Sequence, residues 1–136
     1  MKPTRTDILD TNIILRFLRE DHPEHFRRAK KLFRQAEKGV LNCYIDSVIL
    51  AEAVWTLSSY YKTNRTDIAT KFEMLLVQSW MVSEQKQVLL SAIHAYQATT
   101  MDYIDCWLLA LSEEKNIFLV TFDAKLKKYQ KKIHLV

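Results

Sequence analysis

Three short apolar runs constrain this chain more than any other feature, because each stops on an aspartate and each leads into helix-forming sequence. They are "DILD" (7–10), "NCYID" (42–46) and "FLVTFD" (118–123). Strands that alternate with helices imply an α/β fold: three layers, α/β/α, around a central, mostly parallel sheet. Active sites in such sheets lie beyond the carboxyl ends of the strands, which is where Asp10, Asp46 and Asp123 project.

The segments between these runs carry helical spacing. Phe26, Ala29, Phe33 and Ala36 recur at that spacing before a stop near Gly39. From Ser47, a residue type suited to capping, "SVILAEAVWTLSSYY" predicts a helix apolar on nearly every side, inside or between layers. "TDIATKFEMLLVQS" places Ile68, Phe72, Leu75 and Leu76 on one face, and "WMV" gives a short strand. Two further helices follow. In "SEQKQVLLSAIHAYQATT" Leu89, Ile93 and Tyr96 point inward, and in "MDYIDCWLLALSEEKN" the stripe is Ile104, Leu108 and Leu111. Asn116 suits the left-handed residue that ends the second of these, and the strands "IFLVTF" and "IHLV" finish the chain.

With 136 residues, 49% of them hydrophobic, the chain reads as one domain over 1–136. It has no signal-like or membrane-spanning run, so a soluble, cytoplasmic protein is expected, with no membrane partner. The net charge of +4 and the pI of about 9.1 lean towards a polyanionic partner such as nucleic acid. Cys43 and Cys106 match neither a disulfide framework nor a zinc spacing and read as reduced, packed thiols. A single glycine, Gly39, excludes Gly-rich phosphate loops and dinucleotide fingerprints.

The acids carry the chemistry. Asp10, Asp102 and Asp123 can each be read as a helix cap, with Asp102 and Asp105 spaced like a capping box. The same spacing turns both carboxylates of the pair one way, near the positive end of a helix. Glu52 lies mid-helix among apolar side chains, where an unpaired charge is costly; a salt bridge to an arginine is the structural alternative. If Asp10 and Asp123 leave neighbouring strand ends while Glu52 and Asp105 approach from flanking helices, four carboxylates meet in one small volume. Two unit charges about 4 Å apart repel by roughly 4 kcal/mol at an effective dielectric near 20, so a cation belongs at the centre. All-oxygen ligation suits Mg2+ or Mn2+, which can activate water for in-line attack on a phosphodiester. His22 and His25 receive no role, the runs "RRAKKLFR" and "KLKKYQKK" read as solvated faces able to grip RNA, and Ser47 and Ser112 have no histidine that sequence nominates as a base.

On "ILDTNIIL", "SVILAE", "DYIDCWLLAL" and "LVTFDAKL", in that order and over essentially its whole length, the chain resembles the PIN-domain family, and within it the small VapC-type ribonuclease toxins of toxin–antitoxin pairs. The resemblance implies a metal-binding and catalytic set of Asp10, Glu52, Asp105 and Asp123. It also implies supporting roles for Asn12 beside the first acid and Thr121 beside the last, with Asp102 outside the core set, orienting water or capping its helix. It further implies Mg2+- or Mn2+-dependent hydrolysis of RNA, a homodimer and a cognate antitoxin. Trp107, where small residues often pack, and Asn116, where glycine is common, depart from the pattern.

Two other functions are weighed against this one. A PIN-fold module that binds RNA without cutting it would keep the basic surface. A phospho-receiver would need an acidic pair at the first strand, whereas Asp7 and Asp10 are split by Ile8 and Leu9.

Overall fold

The computed structural model describes residues 3, 5–129 and 133–135; the last three residues of "KLKKYQKK" and the final residue of "IHLV" lie outside the described residues. In chain order the elements are β1 (Arg5–Ile8), α1 (Thr11–Arg19), α2 (Pro23–Glu37), β2 (Leu41–Tyr44) and α3 (Ser47–Trp55). A π-helical turn (Thr56–Tyr60) leads to α4 (Arg65–Leu76), β3 (Met81–Val82), α5 (Lys86–Ala98) and α6 (Tyr103–Lys115). The chain then forms β4 (Leu119–Thr121), a 3-10 turn (Leu126–Tyr129) and β5 (Ile133–Leu135).

The α/β reading holds. Strands β1, β2 and β3 form a parallel sheet in that order, with Arg5 opposite Leu41 and Cys43 opposite Met81. As the middle strand, β2 buries Leu41 and Cys43, and the core continues through Leu9, Ile14, Ile45 and Leu50. Helix α4 buries Ile68, Phe72, Leu75 and Leu76 as its spacing predicts, and α5 buries Leu89, Ile93 and Tyr96. Helix α5 packs against both α4 and α6. Asn116 ends α6 with φ 56° and ψ 46°, the left-handed conformation expected of it. Among the described residues, no helix is long and apolar enough to cross a membrane.

Four local expectations are corrected. The run "FLV" is largely exposed: among the described residues β4 pairs with β5 in its own parallel ladder, and Phe118, Val120 and Phe122 are exposed. An apolar run signals a strand, but its burial depends on which neighbour it finds. Helix α6 is rotated from the expected phase, burying Tyr103, Cys106, Leu109 and Ala110 and turning Ile104 outward. "YIDCWLLAL" is apolar on more than one side, so packing chose the face: Tyr103 meets Tyr96 edge-on at 6.1 Å between ring centroids. Helix α3 is not enclosed, since it buries Leu50, Ala53 and Val54 and leaves Val48, Glu52 and Trp55 as an outward stripe. Finally, the cap of α3 is Asp46 and not Ser47, whose hydroxyl donates to Gln85 Oε1 at 3.2 Å.

Candidate functional site

The strand-end aspartates divide into a cap and an uncommitted acid. Asp46, after β2, accepts from the Val48 and Ile49 N–H groups at 3.1 Å each and so satisfies the start of α3. Asp10, after β1, occupies the N-cap position of α1, yet its side chain makes no cap hydrogen bond. The Asp10 contact to that first turn is through its backbone carbonyl, which accepts from the Ile13 N–H at 3.0 Å.

Asp102 repeats the Asp10 pattern at the start of α6. It is the N-cap residue, but its carboxylate caps nothing, so the capping-box reading is not met. Asp105 lies in the first turn of the same helix. Burial, then the charge of Asp102, then that of Asp123 raise the Asp105 carboxyl above its ordinary range. Each of these effects disfavours its ionised form. Asp102 and Asp123 are therefore each within electrostatic reach of Asp105, and no cation figures among the charges acting on it.

Asp123 is held by a local turn. Its N–H donates to Thr121 Oγ1 at 3.0 Å, and its Oδ1 accepts from the Lys125 N–H at 2.8 Å. Thr121 thus fixes the backbone of Asp123, while Asp123 also starts the turn that follows.

Glu52 and Asn12 sit differently from expectation. Glu52 is exposed on the outward stripe of α3, with no ion pair among the described residues, so the costly buried charge does not arise. Asn12 is exposed and lines a cleft of about 370 Å3 between α1 and α2 with Arg16, His25 and Arg28; it makes no hydrogen bond to Asp10. Among the described residues, no three His, Cys, Asp or Glu side chains lie close enough to hold one metal ion. The expected meeting of four carboxylates is thus not realised in this conformation. Among the described residues β4 pairs with β5, and Glu52 faces solvent. The donor chemistry nonetheless fits a hard divalent cation, because the acids are oxygen ligands and Asp10 and Asp102 are not engaged as caps.

Beside Asp102 and Asp105 lies a cavity of about 350 Å3, walled by Trp55, Ser58, Ser59 and Arg65. The Arg65 guanidinium donates to the Tyr96 carbonyl at 2.7 Å and to the Met101 carbonyl, and stacks 3.8 Å from the Tyr96 ring centroid. It therefore ties the loop that presents Asp102 to the end of α5. Sequence reasoning did not single out Arg65, Trp55 or the serines. Trp55 stands three residues beyond Glu52, which was the available signal for it; the role of Arg65 depends on contacts with residues more than thirty positions away.

Other candidates resolve as structural. The His22 side chain accepts from the His25 N–H and caps α2, and Asp7 is paired with Arg5 at 3.0 Å, which leaves no acidic pair at the first strand. Trp107 is half-buried with its indole N–H unpartnered. No match was found among curated proteins or among solved structures. The sequence model of the PIN domain matches residues 8–132, from the end of β1 through the acids to the basic C-terminal segment, and the chain belongs to the PIN-domain family.

Proposed function

We propose that this PIN domain is a metal-dependent endoribonuclease, acting as one domain in the cytoplasm, with Asp10, Glu52, Asp105 and Asp123 as its acidic set. The observation that carries this reading is the state of the acids: Asp10 and Asp102 sit at helix starts without capping them, and Asp105 is disfavoured as an anion first by burial and then by the charges of Asp102 and Asp123. Carboxylates that repel one another and serve no cap are well suited to sharing a cation. Mg2+ or Mn2+ bound there supplies positive charge to the phosphodiester and acidifies a water.

The chain's own residues have separate tasks. Asp105 and Asp123 would hold the ion from helix and strand end, and Thr121 keeps the Asp123 backbone in place. Asp10 would contribute its carboxylate from the start of α1, and Glu52 its own from α3. Asp102 accepts a hydrogen bond from the attacking water and orients it. Arg65 fixes the loop on which Asp102 stands.

Within this reading the protein is a VapC-type toxin, paired with a protein antitoxin and self-associating as a homodimer. The exposed Val120 and Phe122 beside Asp123 offer an apolar surface that a protein partner would cover. Sedimentation of the purified chain tests self-association, and co-expression with the product of a neighbouring small reading frame tests the antitoxin.

The deciding assay is cleavage of single-stranded and structured RNA with Mn2+, Mg2+ or EDTA, run with Asp10→Asn and Asp105→Asn. Metal-requiring cleavage that falls at least about 100-fold in both variants, with unchanged circular dichroism, is the expected result. Full activity in either variant removes that residue from the site. The open spacing of the acids favours a second reading, a PIN-fold module that binds RNA without cutting it. Tight RNA binding in EDTA with no turnover in any metal would select it.

A further inference from the structure

We propose that the cavity between α3 and α6 receives one unstacked base of single-stranded RNA, the nucleotide adjoining the scissile phosphate, with Trp55 as its stacking platform. The proposal rests on the nuclease reading for the position of that phosphate, but not for the binding itself. The cavity of about 350 Å3 is of the size that small organic groups occupy, and it opens beside Asp102 and Asp105. A base lodged here leaves its phosphate next to the acids.

Its walls have the mixed chemistry that a base requires. Trp55 is 65% exposed although it is the largest side chain of α3, and it lines the cavity with Ile104, which is also turned to solvent. Large aromatic faces left in water beside a polar groove are how single-stranded nucleic acid is held, because every base offers a π-face. Ser58 and Ser59 supply hydroxyls able to donate to or accept from a base edge.

The backbone adds a separate observation. Both serines lie in the π-helical turn, where the Tyr61 N–H donates to the Thr56 carbonyl at 3.1 Å across five residues. Such turns are rare and recur at functional sites, and this one brings consecutive serines to the wall of the cavity. A protein partner would find this surface less suitable, since Arg65, Asp102 and Asp105 interrupt its apolar area.

The test uses the full chain in EDTA, so that cleavage is absent, and reads anisotropy of short labelled RNA oligonucleotides. Trp55→Ala is expected to weaken binding about 10- to 100-fold, Trp55→Phe much less, and Tyr60→Ala, whose exposed ring lies outside the cavity, not at all. Oligonucleotides carrying one abasic nucleotide at successive positions provide the sharper readout. One position should weaken wild-type binding and have no effect on Trp55→Ala. Equal affinities of wild type and Trp55→Ala for intact RNA would overturn the base site, even if metal-dependent cleavage proves the nuclease. The same follows if Trp55→Ala converts a dimer to monomer without changing affinity per chain, since the face then belongs to a second copy. Abasic-sensitive, Trp55-dependent binding without cleavage in any metal keeps the base site and rejects the nuclease.

Discussion

A single arginine sets the position of the acids at the start of α6. Arg65 reaches two backbone carbonyls, of Tyr96 and Met101, while its planar group covers the Tyr96 ring. A lysine has neither the fork nor the flat face to replace these contacts together. Arg65→Lys is expected to destabilise the fold by about 1–3 kcal/mol and to lower cleavage more than RNA binding, read by urea denaturation and by paired activity and anisotropy measurements. In β2, burial foremost, and then the charge of Asp7, push the Cys43 thiol up to about 11 from an ordinary value of 9.0. Between those values the unfolded chain gives up the thiol proton and the folded chain keeps it. Stability is thus fully present below pH 9 and is lost as pH rises towards 11, with a slope approaching about 1.4 kcal/mol per pH unit from this group. Urea midpoints between pH 8 and 11 should fall more steeply for wild type than for Cys43→Ala; parallel profiles would remove Cys43 as a source of the slope.

The connection from α4 to α5 depends on one long side chain. Lys86, the first residue of α5, donates from Nζ to the carbonyls of Gln78 and Met81 at 2.7 Å each and so closes the end of α4 and the start of β3 together. Burial lowers the Lys86 pKa from its ordinary value, but the carbonyl pair gives its charge partners. Removing the ammonium leaves two carbonyls without it, and Lys86→Met is expected to cost about 1–3 kcal/mol. A midpoint equal to wild type would show that water replaces the lysine without loss. Among the elements, those with one clear apolar face were legible from sequence. Ile68, Phe72, Leu75 and Leu76 of α4 bury as their spacing requires. Elements apolar on several sides were not. In α3 and α6 the pattern allowed more than one inward face, and packing against neighbours selected the one that puts Glu52 and Ile104 in solvent.

The whole molecule carries a net charge of +4, with exposed cations on α2 (Arg27, Arg28 and Lys31) and near the C-terminus (Lys125, Lys127 and Lys128). Phosphate contacts by such side chains release counterions, so RNA affinity should fall linearly with salt on logarithmic axes. If four phosphates are neutralised, the slope is about −2.8, and Arg27→Glu with Arg28→Glu should reduce its magnitude by about 1.4 if both touch the backbone. A slope unchanged by the double variant would place the RNA on another face.

What the sequence determined by itself was the class of fold and the family. Strand–helix alternation is a local property, and it demanded parallel pairing, which β1, β2 and β3 show. The order of the acidic motifs likewise marked the PIN family before any contact was known. Tertiary structure decided which acids cap and which do not, because that depends on whether a carboxylate bonds the first N–H groups of its own helix, as Asp46 does, or makes no such bond, as with Asp10 and Asp102. It also decided the partner of β4 and the outward face of α3. Burial of a strand or helix is settled by what packs against it, and residues far apart in the chain make that choice.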